Sequence, residues 1–438
     1  MRTATIEKFQ PDITFVCHYF PPNDTVGIRR VLFWVEYFSN QGKKVLVITT
    51  AKMNSEGIYN LFNENVLVVE YDFFSVKCLS RQKNNYSKPK VSRSKNKSWT
   101  SFLFDCLLKL KRKVVNPFLG QLFDPRLINC FGFSIRIKLG LLLSGFDSVC
   151  FKKTTIISTA PPWPMHLLGI TLAEKYNAKL YLDYRDPFSS NHMFSSTFSK
   201  FEKKIDKYLC GKAMGVFSVS DSWVKYYSNY SEKVYLLRNG FDTSQMCKNV
   251  STKEITITSN DTPLRIGYFG SVEHKERLPV LLLDFLRNNK PNIILEFYGT
   301  YGLVSEYVKE FPEVKPFISL NGKVKYEECL EIMQSVDINL LSETSCGESL
   351  SHRGVMPTKL YEYIGAKKPI LALISHQSDM VEVLHQSGLL FSLVKDISDL
   401  EHCLSVKYIQ SFEYNIEHDF IESLSRQSVA VKLGDYVF

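Results

Sequence analysis

One order of patterns recurs through this chain and limits what it can fold into. A short, wholly apolar run is followed by a polar loop bearing glycine or proline, then a run with helical period, then another apolar run. "DITFVCHY" (residues 12–19), the loop "FPPNDTVGIRR", the helical "RRVLFWVEYFSNQGK" with Gly42 as its stop, and "KKVLVITT" make the first such set. "TTIISTAPP", "WPMHLLGITLAEKYNA" and "KLYLDYRDPF" make a second, and the short runs "GVFSVS" and "KVYLLRNGFD" follow. Unbroken apolar strands separated by helices imply parallel strands covered on both faces, because a parallel pair needs a crossover connection.

Residues 243–262 break the pattern with a polar stretch of no clear period, which reads as a linker. The pattern then restarts with "LRIGYFGSV", "LPVLLLDFLRNN", "NIILEFYGT", "KYEECLEIMQSV", "DINLLSE", "LYEYIGA" and "KPILALI". The expected fold is therefore α/β, with two tandem Rossmann-like, doubly wound domains facing a central cleft. The expected boundaries are an N-terminal domain over 1–242 and a C-terminal domain over 263–415. A tail over 416–438 is expected to pack back on the N-terminal domain. Length agrees: 438 residues, at roughly 150 per domain, allow two or three.

Composition removes several classes. The ten cysteines are scattered, with no CxxC pair and no histidines at metal spacing, which reads as reduced thiols and argues against a structural zinc. The opening "MRTATIEKFQPD" has no apolar core of a signal peptide, and no run of about 18 apolar residues predicts a membrane-spanning helix. The net charge of +9 is unevenly placed: from Lys77 to Lys97 lysine and arginine recur with no acid between them. After that comes "KNKSWTSFLFDCLLKLKRKVVNPF", in which Trp99, Leu103, Leu107, Leu110 and Val114 fall at helical spacing beside Lys109, Lys111, Arg112 and Lys113. The 76–118 segment reads as a basic, amphipathic insertion. It suits an anionic membrane surface, or else it is a core helix with a basic outer face behind a polar loop. No nucleic-acid-binding motif accompanies it.

In open parallel sheets ligands bind beyond the carboxyl ends of the strands, so the loops there are the candidates. In "HYFPPNDTVGIRR", Gly27 lies just before a helix, either as a plain turn or where backbone N–H groups meet an anion. In "STAPPWPMHLLG", His166 falls in the first helical turn, where the dipole favours a neutral ring. It either orients a substrate hydroxyl or phosphate, or is a capping or surface residue. In "DYRDPF", Asp183, Arg185 and Asp186 crowd a strand end that Pro187 terminates. Buried charges there must be paired, so they form either a structural bridge or a sugar-binding or basic carboxylate at Asp186. In "YFGSVEHKERLPVLL", Gly270 ends a strand while Lys275 and Arg277 precede a helix, an arrangement that favours an anion or is simply a solvated charge run.

The fifth loop opens "MPTKLYEYIGAKKPILAL". Pro357 suits the first helical position. Leu360 and Ile364 can face the core, while Lys359 and Glu362 share another face one turn apart. A lysine in a first turn is unfavourable by about 0.3–1 kcal/mol unless something negative sits beside it. A phosphate supplies that charge, and Glu362 can accept from two ribose hydroxyls. Otherwise the two are an exposed pair of little energetic weight.

These stretches together resemble the GT-B glycosyltransferases, specifically family 4-like enzymes of bacterial surface polysaccharide assembly. The "STAPPWPMHLLG…YLDYRDPF" block is similar to that family's "TSPP…HL…DFRDPW" block, "VYLLRNGFD" to its "NGFD" segment, and "MPTKLYEYIGAKKPILAL" to its donor-site helix. The resemblance extends over nearly the whole chain. It implies transfer of a sugar from a nucleotide-diphosphate donor to a lipid-linked glycan, with retention and without a metal or other cofactor. It also implies a cytoplasmic enzyme peripheral to the inner face of the membrane through the Lys77–Val114 region.

By this resemblance Gly27, Gly270, Lys275, Arg277, Lys359, Leu360 and Glu362 bind the nucleotide sugar. Asp186, His166, Arg277 and Lys359 serve catalysis, and Arg185 and Asp186 lie on the acceptor side. Two positions depart from the family pattern. The residue eight before Glu362, a glutamate in the family, is Gly354, with Glu348 out of register, and the paired glycines of the first loop are reduced to Gly27. A non-catalytic scaffold subunit and a nucleotide-sugar 2-epimerase are the rival expectations.

Overall fold

The computed structural model describes residues 9–21, 26–49, 62–72, 75–79, 153–191, 199–244, 246, 262–343, 349–413 and 415–438. Apart from its first residues, the basic 76–118 insertion lies outside them, as does most of the polar linker. No helix among the described residues is long and apolar enough to cross a membrane. The chain divides into two compact units, Met1–Phe217 with Tyr227–Tyr235, and Ser218–Tyr226 with Leu236–Phe438.

The first unit is built on β1 (Ile13–Cys17), β2 (Val45–Thr49), β3 (Val66–Asp72), β4 (Ser75–Leu79), β5 (Thr155–Ala160), β6 (Lys179–Tyr184), β7 (Gly215–Ser218) and β8 (Val234–Leu236). They lie in the order β4-β3-β2-β1-β5-β6-β7-β8. The pairs β1–β2, β2–β3, β1–β5 and β5–β6 are parallel, and β4 closes one edge antiparallel to β3. Every residue of β1, β2 and β5 is buried, the signature of strands covered on both faces. The Arg29–Asn40 helix lays Val31, Trp34, Val35 and Phe38 on the sheet, with the Trp34 ring 5.9 Å from Phe15. Gly42 follows at φ 78°, a left-handed position where glycine carries no Cβ penalty.

The second sheet contains β9 (Leu264–Ser271), β10 (Ile293–Thr300), β11 (Ile318–Gly322), β12 (Ile338–Glu343), β13 (Ile370–Ile374) and β14 (Leu390–Leu393). The order is β11-β10-β9-β12-β13-β14, and each neighbouring pair is parallel. In chain order this is the doubly wound arrangement, and its direction reverses between β9 and β12. In the first unit the reversal falls between β1 and β5. Helices cover both faces: Leu360, Tyr361, Tyr363 and Ile364 belong to one core cluster, Leu282, Leu283, Phe285 and Leu286 to another.

Two local expectations shift. Pro357 is the residue before the Thr358–Ala366 helix, extended at ψ 145°, and not its first helical residue. That helix ends at left-handed Lys367 and not at Gly365. Gly365 lies within the last turn, where a Cβ would meet the Phe241 ring at 2.6 Å. The absence of a side chain there seats Phe241 against the helix. The 416–438 tail forms the His418–Ser423 and Arg426–Val437 helices, and the second of these docks on the Gly240–Asp242 segment and the Thr358–Ala366 helix.

Candidate functional site

At the switch point of the second unit, the carboxyl ends of β9 and β12 bring four polar side chains together. Tyr268 comes from β9 and Glu343 from the last position of β12. Arg277 comes from the 3-10 turn Lys275–Arg277, and Lys359 from the first turn of the Thr358–Ala366 helix. Lys359 Nζ donates to the Tyr268 hydroxyl at 3.0 Å and lies 4.1 Å from the centre of its ring. Tyr268 in turn donates to the Ser271 carbonyl at 3.3 Å. Arg277 Nε donates to Glu343 at 3.1 Å.

Burial pushes the Lys359 ammonium down to about 7, with the Arg277 charge adding to the fall and Glu343 opposing it. Burial pushes the Tyr268 phenol up. Two cations thus share the first turn of a helix and a strand end with one carboxylate. That set, next to backbone N–H groups that have no helical acceptor, holds an anion readily. Gly270 sits at φ 125° at the end of β9, and a Cβ there would point into open space. Its neighbour Gly299, at φ 135°, has the opposite constraint, since a Cβ would fall 2.1 Å from the Gly270 carbonyl oxygen. Lys275 is exposed, and Leu360 is fully buried in the core.

Glu362 has partners of its own. Its Oε1 accepts from the Tyr326 hydroxyl at 2.9 Å and lies 3.7 Å from Arg426 Nη2. So Lys359 and Glu362, one turn apart, reach two different groups of partners. Position 354 has a clear occupant: a Cβ on Gly354 would stand 2.3 Å from both Cδ1 and Nε1 of Trp223. That indole, 1% exposed, donates to the Ser351 carbonyl at 3.0 Å. No glutamate fits at 354 while Trp223 is there.

In the first unit, Asp183 is buried in a bidentate pair with Arg30, at 2.9 and 3.3 Å, and also accepts from Thr159 at 2.8 Å. Arg185 holds three carbonyls together, those of Ala160, Pro161 and Gly27, at 3.3, 2.9 and 2.8 Å. Gly27 has room for this because a Cβ would meet Arg185 Nη1 at 2.8 Å. Asp186 is half-buried at the same strand end. Burial pushes its carboxyl up to about 6 against the pull of Arg185. His166 is wholly buried, neither a cap nor a surface residue. Its Nδ1 is 2.6 Å from the Ser158 hydroxyl, its ring lies 4.3 Å from Tyr184, and burial pushes it down to about 3, so it is uncharged.

Among the members of these groups that escaped the sequence reading are Glu343, Tyr268, Tyr326 and Arg426. Glu343 had a signal, a carboxylate closing an apolar strand as in "DYRDPF". The tyrosines lie inside ordinary apolar-periodic runs, and Arg426 lies in a tail with no motif.

No protein-family model matches the chain, and no curated protein matches it. Solved structures do. HepE of Anabaena, solved with UDP and glucose, aligns over 97% of this chain and 99% of its own, with a TM-score of 0.58 at 11% sequence identity. Sucrose-phosphate synthase from Thermosynechococcus elongatus aligns over 98% of both chains, with a TM-score of 0.60 at 13% identity. A glycosyltransferase from Rickettsia africae covers 97% of this chain and 98% of its own, at 0.54 and 14%. The chain therefore has the α/β, GT-B fold of these structures over essentially its whole length.

Proposed function

We propose that this protein is a glycosyltransferase whose second unit binds a nucleoside-diphosphate sugar. The observation that carries the reading is the half-buried Lys359 amine. It stands in the first turn of the Thr358–Ala366 helix at the sheet's switch point, beside Arg277 of the Lys275–Arg277 turn, and an anion added to Glu343 there would favour its charged form. The diphosphate is that anion, and Glu362 accepts from the ribose hydroxyls. As the sugar carbon leaves, negative charge grows on the diphosphate, and prepositioned cations and N–H groups stabilise it. These groups take the role a metal plays elsewhere, so transfer proceeds in the presence of EDTA. The fold is shared with HepE, which was solved with UDP and with UDP-glucose, and this supports the donor class.

On this reading Asp186 is the acceptor-side acid or base, and the acceptor is a lipid-linked glycan used at the inner face of a membrane. The Ser199–Gly211 helix supports a membrane surface independently of the 76–118 insertion. Phe201 and Tyr208 are 40% and 52% exposed, and Met214 just beyond is 43% exposed. Lys200, Lys203, Lys204 and Lys207 are exposed around them. Flotation with anionic but not neutral vesicles checks this.

The deciding experiment is calorimetric titration of UDP, GDP and CMP into the wild type and Glu362→Ala. Selective micromolar binding of one diphosphate, weakened by the substitution, is expected. No binding by folded wild type would return the chain to a scaffold role, which Trp223 in the place of a glutamate side chain at 354 favours. Conversion of the donor sugar without an acceptor would identify an epimerase.

A further inference from the structure

Glu362, to which the donor-site reading gives the ribose, is not oriented by its own helix alone. Its carboxylate, 7% exposed, would be costly to keep ionised without a compensating charge. That charge arrives from far along the chain. Arg426, the first residue of the Arg426–Val437 helix, is itself 9% exposed and fixed on several sides. Its Nε donates to the Gly240 carbonyl at 2.9 Å, its Nη2 to the Tyr326 hydroxyl at 3.3 Å, and its backbone N–H to the Phe241 carbonyl at 2.8 Å. Nη1 lies 3.8 Å from Asp242. Gly240 permits this approach, since a Cβ there would stand 2.7 Å from the Leu424 carbonyl oxygen and 2.9 Å from the Arg426 nitrogen.

Two features of the geometry matter. The Arg426–Glu362 separation of 3.7 Å is an ion pair without the length of a hydrogen bond, so the guanidinium acts on the carboxylate through its charge. And Tyr326 touches both, accepting from Arg426 and donating to Glu362, which fixes the carboxylate's rotation.

We propose that Arg426, acting with Tyr326, is a positioning residue for donor binding: it holds the Glu362 carboxylate turned to receive the ribose hydroxyls of a nucleoside diphosphate. The proposal rests on the donor-site reading. It concerns the ribose only, because Lys359 and Arg277 carry the diphosphate.

The test is calorimetric titration of UDP and 2′,3′-dideoxy-UDP, with GDP and its dideoxy analogue alongside, into wild type, Arg426→Gln, Arg426→Lys and Tyr326→Phe. The wild type is expected to prefer the ribonucleotide. Arg426→Gln should weaken the ribonucleotide about tenfold and leave the dideoxy analogue nearly unchanged, so the preference collapses. Arg426→Lys should restore most of it, and Tyr326→Phe should lose a smaller part, again from the ribonucleotide alone. Equal weakening of both nucleotides would make Arg426 a mere anchor of its helix and overturn the proposal. If Arg426→Gln does not fold, the Lys and Tyr326→Phe variants decide by the same ratio. Binding of neither nucleotide pair by the wild type would overturn the donor-site reading and this proposal with it. An unchanged ribonucleotide preference in all variants would overturn the proposal and leave the reading standing.

Discussion

Gly354→Ala should destabilise the second unit for a reason that has nothing to do with backbone freedom. Gly354 sits at φ −79° and ψ 0°, which any residue adopts. The obstacle is the Trp223 indole, at 2.3 Å from the added carbon, with the Ser220 hydroxyl at 2.6 Å. The hydroxyl can rotate away. The indole is buried and tied to the Ser351 carbonyl, so it must shift as a body. Forcing atoms into a filled core costs about 1–3 kcal/mol, and loss of the indole hydrogen bond adds about 0.5–1.5 kcal/mol. The total, about 2–4 kcal/mol, corresponds to a fall in Tm of roughly 8 °C for a domain of 150–250 residues. Calorimetric melting of Gly354→Ala, Trp223→Ala and the double variant measures it. With the indole gone, the alanine should cost less than about 0.5 kcal/mol, so the two substitutions fail to add. An equal fall from Gly354→Ala in both backgrounds would refute the steric argument, and with it the explanation for a glycine at this position.

Asp183→Ala leaves Arg30 buried without its carboxylate and should cost about 3–5 kcal/mol, read as a lower denaturation midpoint; replacing Asp183 with Asn, which still accepts from Thr159, should cost less. Lys359 makes the unliganded protein pH-sensitive in a set direction. Its folded pKa, near 7, lies below the unfolded value of 10.5, so between those limits the unfolded chain binds more protons and stability rises with pH. Melting of wild type and Lys359→Met from pH 7 to 10 should show that rise only in the wild type, and parallel curves would sink the assignment. Bound diphosphate should pull the amine's pKa back up, so UDP binding near pH 8 takes up a proton in the wild type and none in Lys359→Met.

The sheets were legible because parallel strands covered on both faces are spelled as unbroken apolar runs, and "DITFVC", "KVLVIT" and "KPILALI" could be little else. The Ser199–Gly211 helix was not, although Leu209 and Cys210 face inward and its lysines face out. Glu202 and Asp206 also face inward, Asp206 accepting from Tyr184 and Ser189, while Phe201 and Tyr208 face out. Acids on the inner face and aromatics on the outer one blur the apolar stripe that periodicity seeks. At the candidate site, Lys359 and Arg277 could be found because cations in or just before a helix's first turn oppose the dipole and so ask for an explanation. Arg426 could not, since its importance lies in contacts with Glu362, Tyr326 and Gly240, all distant from it in the chain. Likewise, Gly354 and Gly365 read as a missing side chain and a helix stop, whereas each is a flat place on which an aromatic ring rests.

The clasp between Gly240 and Arg426 has a consequence for the order in which the molecule is made. Its two ends are 186 residues apart, so at about 5–20 residues per second of synthesis the first waits roughly 10–40 s for the second. During that interval the strands through β8 have been made, and the first sheet has all its strands. The second unit has its strands from β9 on arriving in turn, but Phe241 lacks its partner backbone at Leu424 and Arg426, and Glu362 lacks its counter-charge. The second unit therefore gains this clasp only after the strands of the first sheet have been made, and Glu362 gains its counter-charge with it.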